Sequence, residues 1–182
     1  AEPIEFGWYC EVAVSILMKI LYGARMARFD LLRAVSGLAC LTTKWTKECD
    51  RRLHRLMCYI YSTYHLTMIC WVGDKIQDLS LHLFADADYA GCADTLRSTS
   101  GLHLCVRGPN SCFAISGQSK RQGCVSHSTP EAELVATAHA MKASGLPSLE
   151  LWAPRFGSSP LYVHEDNQPM IAIIRSGKNP SI

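Results

Sequence analysis

The chain has 182 residues, a formal net charge of +2 and a hydrophobic content of 48%. This composition excludes a disordered chain, and so small a net charge does not by itself indicate a polyanionic partner. Nine cysteines occur without any CxxC pair, and the sequence shows no secretory pattern, so we expect reduced thiols and an intracellular location. The apolar run 12–21 is too short to span a bilayer, and we expect no membrane partner.

Apolar residues at helical spacing predict three helices in the first third of the chain, over residues 11–27, 29–41 and 45–61. Up to residue 65 there are nine Lys or Arg against six Asp or Glu. The third helix carries Lys47, Arg51, Arg52 and Arg55 on the face opposite its apolar stripe. Two interpretations of this basic face stay open: a solvated surface, or a surface for a nucleic-acid backbone.

From residue 65 the pattern changes to that of strands. Runs at 66–73, 79–88, 100–108 and 112–116 have β character, and Gly108-Pro109-Asn110 marks a turn between the last two. A helix over 130–143 follows, then a loop broken by Pro147, Pro154, Gly157 and Pro160, a strand over 161–165 and a helix over 168–175. The order predicts an α/β domain at 79–182, joined by a linker or strand at 65–78 to a helical segment at 1–64.

Three carboxylates occupy distinctive positions. Asp86 ends a strand in FADADYAG, Glu133 lies in the first turns of a helix in STPEAELVA, and Asp166 ends a strand in YVHEDNQPMI. Carboxylates that converge repel one another unless cations neutralise them, and Mg²⁺ prefers such oxygen ligands. Because paired metals assist in-line displacement at phosphorus, phosphodiester hydrolysis is the leading hypothesis.

The sequences of five segments, and their order along the chain, resemble the RNase H segment of copia-type LTR retrotransposon Pol polyproteins. The segments are FADADYAG, RSTSG at 97–101, AISGQSKRQ at 114–122, STPEAELVA and HEDNQPMIAI. The resemblance is strongest over 79–182, and residues 27–63 resemble the reverse-transcriptase thumb and connection region that precedes RNase H. It implies an RNase H-like mixed sheet with flanking helices, incomplete at its C-terminus, since the last strand, the last helix and the fourth acidic group of the family would follow residue 182.

The resemblance also implies an activity and a set of partners. We expect a ribonuclease H that hydrolyses RNA in RNA–DNA hybrids, with two Mg²⁺ ions, or Mn²⁺, held by the catalytic residues Asp86, Glu133 and Asp166. The expected partners are the hybrid and the rest of the Pol polyprotein, in the cytoplasm, a virus-like particle or the nucleus. The alternative is a non-catalytic retroelement remnant, or a structural or nucleic-acid-binding connection module.

The family-like segments also help to choose between neighbouring residues as members of the site. Asp166 is preferred to Glu165 because it begins the DNQ string, and strand alternation predicts that the two side chains lie on opposite faces. Glu131 is expected to be structural, in a helix capped by Thr129 with Pro130 at its first position. His164 is expected to pack rather than to react. The candidate contacts to nucleic acid are Ser98, Thr99, Ser100, Lys120, Arg121 and Asn167.

Overall fold

The computed structural model describes residues 5–92, 94–156 and 160–178, and the chain divides into two compact units, Ala1–Ile69 and Cys70–Ile182. The first unit contains three helices: α1 at Ala13–Met26, α2 at Leu32–Ala39 and α3 at Lys47–Ser62. Each lies within two or three residues of a helix that the apolar spacing predicts. Their apolar faces meet in one core, in which Leu17, Val35 and Trp45 are almost completely buried.

A buried carboxylate anchors the first residues of this unit to α3. Asp50, in the first turn of α3, accepts hydrogen bonds from Trp45 Nε1 at 2.6 Å, the Trp8 amide at 2.6 Å and the Tyr9 amide at 3.3 Å. The amide of Gly7 also donates to the Trp45 carbonyl at 3.1 Å. These bonds satisfy a buried charge and hold the entering chain in place.

The second unit is a five-stranded mixed sheet with helices. Its elements are β1 at Trp71–Val72, β2 at Ser80–Asp88, β3 at Thr99–Gly108, β4 at Ser111–Arg121, α4 at Thr129–Ala140, α5 at Leu146–Phe156, β5 at Leu161–His164 and α6 at Gln168–Ser176. The strand order is β1-β4-β3-β2-β5; β2 and β5 run parallel, and the other pairs are antiparallel. This arrangement confirms the predicted α/β fold class, a mixed sheet with flanking helices of the RNase H-like kind, preceded by a helical segment.

Alternation along β2 decides which face of the sheet meets the helices. Leu81, Leu83, Ala85 and Ala87 are buried, whereas the residues between them are more exposed. Ala87 packs against Ala132 and Ala136 of α4, and small side chains on both elements let helix and strand approach closely. This contact brings the C-terminal end of β2 against the first turns of α4.

The loop predicted across 147–160 is wrong over most of its length, because α5 occupies Leu146–Phe156. A π-helical turn, Met141–Gly145, joins α4 to α5. Pro147 stands in the first turn of α5, directly after the π-helical turn, and Pro154 lies close to the end of that helix. Residues 157–159 of the predicted loop lie outside the described residues. Similarly, the strand predicted over 66–73 is reduced to Trp71–Val72.

Gly145 allows the turn before α5 to lie close to the sheet. A Cβ atom at this position would stand 3.0 Å from Leu161 Cδ2 and 3.1 Å from Leu83 Cδ2, one on each of the paired strands β5 and β2. Those distances are tighter than ordinary van der Waals contact, so the absence of a side chain sets the spacing between helix and sheet here.

Candidate functional site

The two predicted aspartates lie at the same end of two neighbouring strands. Phe84 of β2 is opposite His164 of β5 in the parallel pair, and Asp86 and Asp166 each follow their member of this pair by two residues. Both aspartates are exposed. The sheet therefore brings together the two strand ends that the sequence predicts to share a site.

Glu133 of α4 faces this end of the sheet from a buried position. It is 5% exposed, and its neighbour Ala132 packs against Ala87 of β2. Its Oε2 atom has no hydrogen-bond partner. A buried carboxylate oxygen without a hydrogen-bond partner is costly to a folded protein, so Glu133 in this state lowers the stability of the fold.

The pKa of Glu133 is shifted by the acidic residues that lie near it. Burial, followed by the negative charges of Glu165 and Asp86 and, more weakly, Asp166, raises the pKa of Glu133 from 4.5 to about 7. The backbone amide of Ala87 acts in the opposite direction. Glu133 therefore lies within electrostatic range of both predicted aspartates, and their like charges disfavour its ionisation.

These carboxylates do not form a compact group of metal ligands in the described part of the chain. Among residues 5–92, 94–156 and 160–178, no group of three or more His, Cys, Asp or Glu side chains has the geometry to hold a metal ion. Glu133 is fixed by packing on α4, whereas Asp86 and Asp166 are exposed at strand ends. The arrangement is one buried carboxylate, with one oxygen that has no hydrogen-bond partner, and further acids near it.

Glu165 is a member of this cluster that the sequence did not predict. Its Oε2 accepts a hydrogen bond from Thr137 Oγ1 of α4 at 3.2 Å, and its Oε1 accepts one from the Asn167 amide at 3.0 Å. Strand alternation fails to place it because β5 ends at His164, so residues 165–167 do not alternate. The hydrogen bond to Thr137 joins residues 28 positions apart, so no local signal in the sequence could have found Glu165.

The start of α4 differs by one residue from the prediction, and the predicted cap at Thr129 with Pro130 at the first position is wrong. The N-cap is Ser128, whose extended backbone lets its Oγ accept a hydrogen bond from the Glu131 amide at 3.4 Å. Glu131 Oε2 in turn accepts one from the His127 amide at 2.8 Å. Glu131 therefore has the structural role that the sequence predicts, close to that of a capping box.

The hydroxyls predicted to contact nucleic acid are bonded inside the protein. Ser98 Oγ accepts a hydrogen bond from the Ala90 amide at 3.1 Å, and Ser100 Oγ accepts one from Gln122 Nε2 at 3.0 Å. Thr99 is also buried. Ser98 thus holds the turn before β3, Thr99 and Ser100 are buried at the start of that strand, and contact of the three residues with a substrate stays a prediction.

The other three candidate contacts are more accessible. Lys120 is exposed and Arg121 is half-buried at the end of β4, which pairs with the start of β3. Asn167 caps α6, since its Oδ1 accepts a hydrogen bond from the Met170 amide at 3.0 Å. A role in binding nucleic acid stays a prediction for each of them.

His164 lies beside His82 rather than among the acids. Its Nε2 is 2.8 Å from His82 Nδ1, and its ring is close to parallel with that of Phe84, with 4.2 Å between the ring centroids. Ser80 Oγ lies 3.0 Å from the other ring nitrogen of His82. His164 thus has the packing and hydrogen-bonding role that the sequence predicts.

No family model matches the chain, and no solved structure matches it. An uncharacterized mitochondrial protein of Arabidopsis thaliana is 31% identical over 127 residues, which are 69% of this chain and 41% of that protein. The chain therefore spans less than half the length of this relative. Within the described part of the chain, no helix is both long and apolar enough to cross a membrane.

Proposed function

We propose that the unit Cys70–Ile182 is a ribonuclease H-type phosphodiesterase that cleaves the RNA strand of RNA–DNA hybrids and derives from a retrotransposon Pol polyprotein. The observation that carries this proposal is Glu133, whose buried carboxylate has an oxygen without a partner and is surrounded by Asp86, Glu165 and Asp166. The strand order and the five family-like segments support the same assignment. The Arabidopsis relative adds that a similar sequence occurs within a longer protein.

The chemistry of these residues fits a divalent metal ion. Asp86, Glu133 and Asp166 offer only carboxylate oxygens, the ligands that Mg²⁺ and Mn²⁺ prefer, and the free oxygen of Glu133 is the group that such an ion would satisfy. When bound, paired ions would supply an activated water and would stabilise the charge on the leaving oxygen.

The chain itself contributes position and charge. Packing of Ala132 and Ala136 against Ala87 fixes the helix that carries Glu133, so this carboxylate is oriented before any substrate binds. The exposed Asp86 and Asp166 lie where a phosphodiester could approach from solvent. Lys120 and Arg121, at the end of β4, would neutralise neighbouring phosphates of the hybrid.

The proposal is tested by cleavage of an RNA–DNA hybrid carrying a fluorescent label on the RNA strand, with Mg²⁺ or with chelator. Cleavage should require the metal, and Asp86→Asn, Glu133→Gln and Asp166→Asn should each reduce it by about 100-fold or more, because each removes a direct ligand. Glu131→Gln is the matched control, since it changes a carboxylate two residues away that bonds only to the start of α4.

Failure of the test has two forms. Cleavage that survives chelation or all three substitutions would contradict a carboxylate-bound metal site. Binding of the hybrid without cleavage, under conditions in which the chain is folded, would instead support the alternative of a non-catalytic nucleic-acid-binding module.

A further inference from the structure

Asp166 lies in a short segment between a strand and a helix. The pairing of β5 with β2 ends at His164, and α6 begins at Gln168, so residues 165–167 connect the two elements. Asp166 itself is exposed. In such a connection, hydrogen bonds from side chains to the backbone take over from the regular bonds of strand and helix. The place of the Asp166 carboxylate therefore depends on the side chains that hold this segment.

Glu165 holds the segment through two hydrogen bonds. Its Oε1 accepts one from the Asn167 amide at 3.0 Å, which closes the backbone around Asp166. Its Oε2 accepts the other from Thr137 Oγ1 of α4 at 3.2 Å. One carboxylate thus joins the residues on either side of Asp166 to the helix that carries Glu133.

Thr137 is a firm anchor for this link. It follows Glu133 by about one turn, so the two side chains lie on the same face of α4, and they are only 8% and 5% exposed. The helix is held against β2 by the packing of Ala136 on Ala87. The same helix therefore fixes Glu133 directly and Asp166 through the hydroxyl of Thr137.

The other end of the segment is fixed to α6. Asn167, whose amide donates to Glu165, also caps this helix, since its Oδ1 accepts a hydrogen bond from the Met170 amide at 3.0 Å. Met170 is completely buried. Asp166 thus lies on a segment that is bonded to α4 at one end and to the first turn of α6 at the other.

These bonds explain why an acid occupies position 165. A further negative charge close to Glu133 is unfavourable in itself. A glutamine would avoid this repulsion, but it has one acceptor oxygen and could not serve both donors. Both oxygens of Glu165 accept hydrogen bonds from the protein, whereas Oε2 of Glu133 accepts none.

We propose that Glu165 and Thr137 are positioning residues, which hold the carboxylate of Asp166 in a fixed place relative to Glu133. This inference rests on the proposed function, in which the two acids share a divalent metal ion. Glu165 and Thr137 act through the backbone of residues 165–167 and need no contact with the ion or the substrate. Residues that orient metal ligands in this way commonly change metal affinity by about 10- to 100-fold when they are substituted.

The test breaks the link without changing the charge of the site. Thr137→Val removes the donor and keeps a β-branched side chain of similar volume, whereas the control Thr137→Ser keeps the hydroxyl. Binding of Mn²⁺ to the full chain is followed by the loss of the EPR signal of the free ion, and the site is the binding that Glu133→Gln removes. Thr137→Val should weaken it by about tenfold or more, and Thr137→Ser by less than about threefold. Thr137→Ala, which lacks the donor and cannot overpack the helix, should match Thr137→Val.

Two further measurements show whether Thr137 acts through Glu165. Hydrogen exchange of the Asn167 amide should accelerate in Thr137→Val and not in Thr137→Ser, because the segment loses its anchor on α4. In a chain that carries Glu165→Ala, Thr137→Val should cause no additional loss of Mn²⁺ affinity, since the two residues form one link.

The outcomes separate this proposal from the proposed function. Mn²⁺ binding that requires Glu133 but is unchanged by Thr137→Val would overturn the positioning role and leave the metal site intact. A large loss in Glu165→Ala with none in Thr137→Val would also overturn it, in favour of Glu165 as a ligand of the ion. Weaker binding in Thr137→Val with unchanged exchange of the Asn167 amide would contradict the link through residues 165–167. The absence of any Mn²⁺ binding that requires Glu133 would overturn both proposals.

Discussion

The imidazoles of His82 and His164 are joined by a hydrogen bond of 2.8 Å between Nδ1 of the first and Nε2 of the second. This bond connects β2 to β5, the parallel strands that lead to Asp86 and Asp166. It requires one ring nitrogen to donate and the other to accept, so it is lost when both rings are protonated. One side-chain contact between the two strands that lead to the candidate site therefore depends on pH.

Burial, the nearby His164 and Arg107 lower the pKa of His82 below 6.5. The unfolded chain then binds the proton more readily than the folded chain does, so the contribution of His82 to stability is present above about pH 6.5 and is lost as the pH falls through the lowered value. His82→Gln should cost about 1 kcal/mol near neutral pH through loss of the bond, and should reduce the decline in stability on acidification.

Urea unfolding of the parent chain and of His82→Gln, at several pH values between about 5 and 8, measures this difference. His127→Gln is a suitable control, since this histidine is exposed in the loop before α4; it should change stability by less than about 0.5 kcal/mol at neutral pH. An unaltered pH profile in His82→Gln would show that another group causes the decline.

Glu133 should make the opposite contribution to the pH profile. The pKa of Glu133 is raised to about 7, so the folded chain binds the proton more readily than the unfolded chain does. The contribution of Glu133 to stability is therefore fully present below about pH 4.5 and is lost as the pH rises through 7. In the absence of metal, Glu133→Gln should therefore be more stable than the parent near pH 8, by about 1–2 kcal/mol. The two chains should differ least at low pH.

Denaturant unfolding in chelator, near pH 5 and near pH 8, tests this prediction. Glu131→Gln should change stability by well under about 1 kcal/mol at both values, because its contribution is a solvated contact at a helix end. A substitution that stabilises the fold while abolishing cleavage would identify Glu133 as a residue kept at the expense of stability. Destabilisation by Glu133→Gln near pH 8 would contradict the account of its buried charge.

Glu165 and Asp166 should differ in their effect on Glu133. The charge of Glu165 raises the pKa of Glu133 more than that of Asp166 does. Glu165→Gln should therefore move the pKa of Glu133 down towards its ordinary value, and Asp166→Asn should move it less. The amide introduced by Glu165→Gln has one acceptor oxygen, so it keeps the hydrogen bond from Thr137 Oγ1 or the one from the Asn167 amide and loses the other. A carbon-detected NMR titration of the Glu133 carboxyl gives the order directly, and the reverse order would place Asp166 closer.

The fold was predictable wherever one periodicity dominated. The apolar spacing over residues 45–61 predicts α3, and the run of β character over 79–88 predicts β2. The α5 helix was missed because its prolines read as breakers, although Pro147 falls in its first turn and Pro154 close to its end. A single sequence contains no local signal of whether such a proline begins a helix or interrupts one.

The candidate site was predictable only in part, for a related reason. Asp86, Glu133 and Asp166 stand out because their segments resemble those of a family, whereas local patterning alone would make them solvated acids. Burial of Glu133 depends on Ala132 and Ala136 meeting Ala87, a contact between elements 45 residues apart that no local rule predicts. The place of Glu165 depends on where β5 ends, and the ends of elements are the least regular part of any pattern.

The final prediction concerns Asp50, the acid that anchors the start of the first unit. Burial alone would raise the pKa of Asp50, but the hydrogen bonds from Trp45, Trp8 and Tyr9 outweigh it and hold the pKa below 3.8. Its contribution to stability is therefore present above about pH 3.8 and is lost as the pH falls through the lowered value.

Asp50→Asn keeps the shape of this side chain but replaces one acceptor oxygen by an N–H₂ group, which faces at least one of the three donors and should cost about 3 kcal/mol at neutral pH. Tryptophan fluorescence during urea unfolding reports the loss, since Trp45 is almost fully buried. Glu48→Gln, in the same turn of α3 but with an exposed side chain, should cost less than about 0.5 kcal/mol. Equal losses from the two substitutions would mean that the charge near the helix start matters, and not the three hydrogen bonds to Asp50.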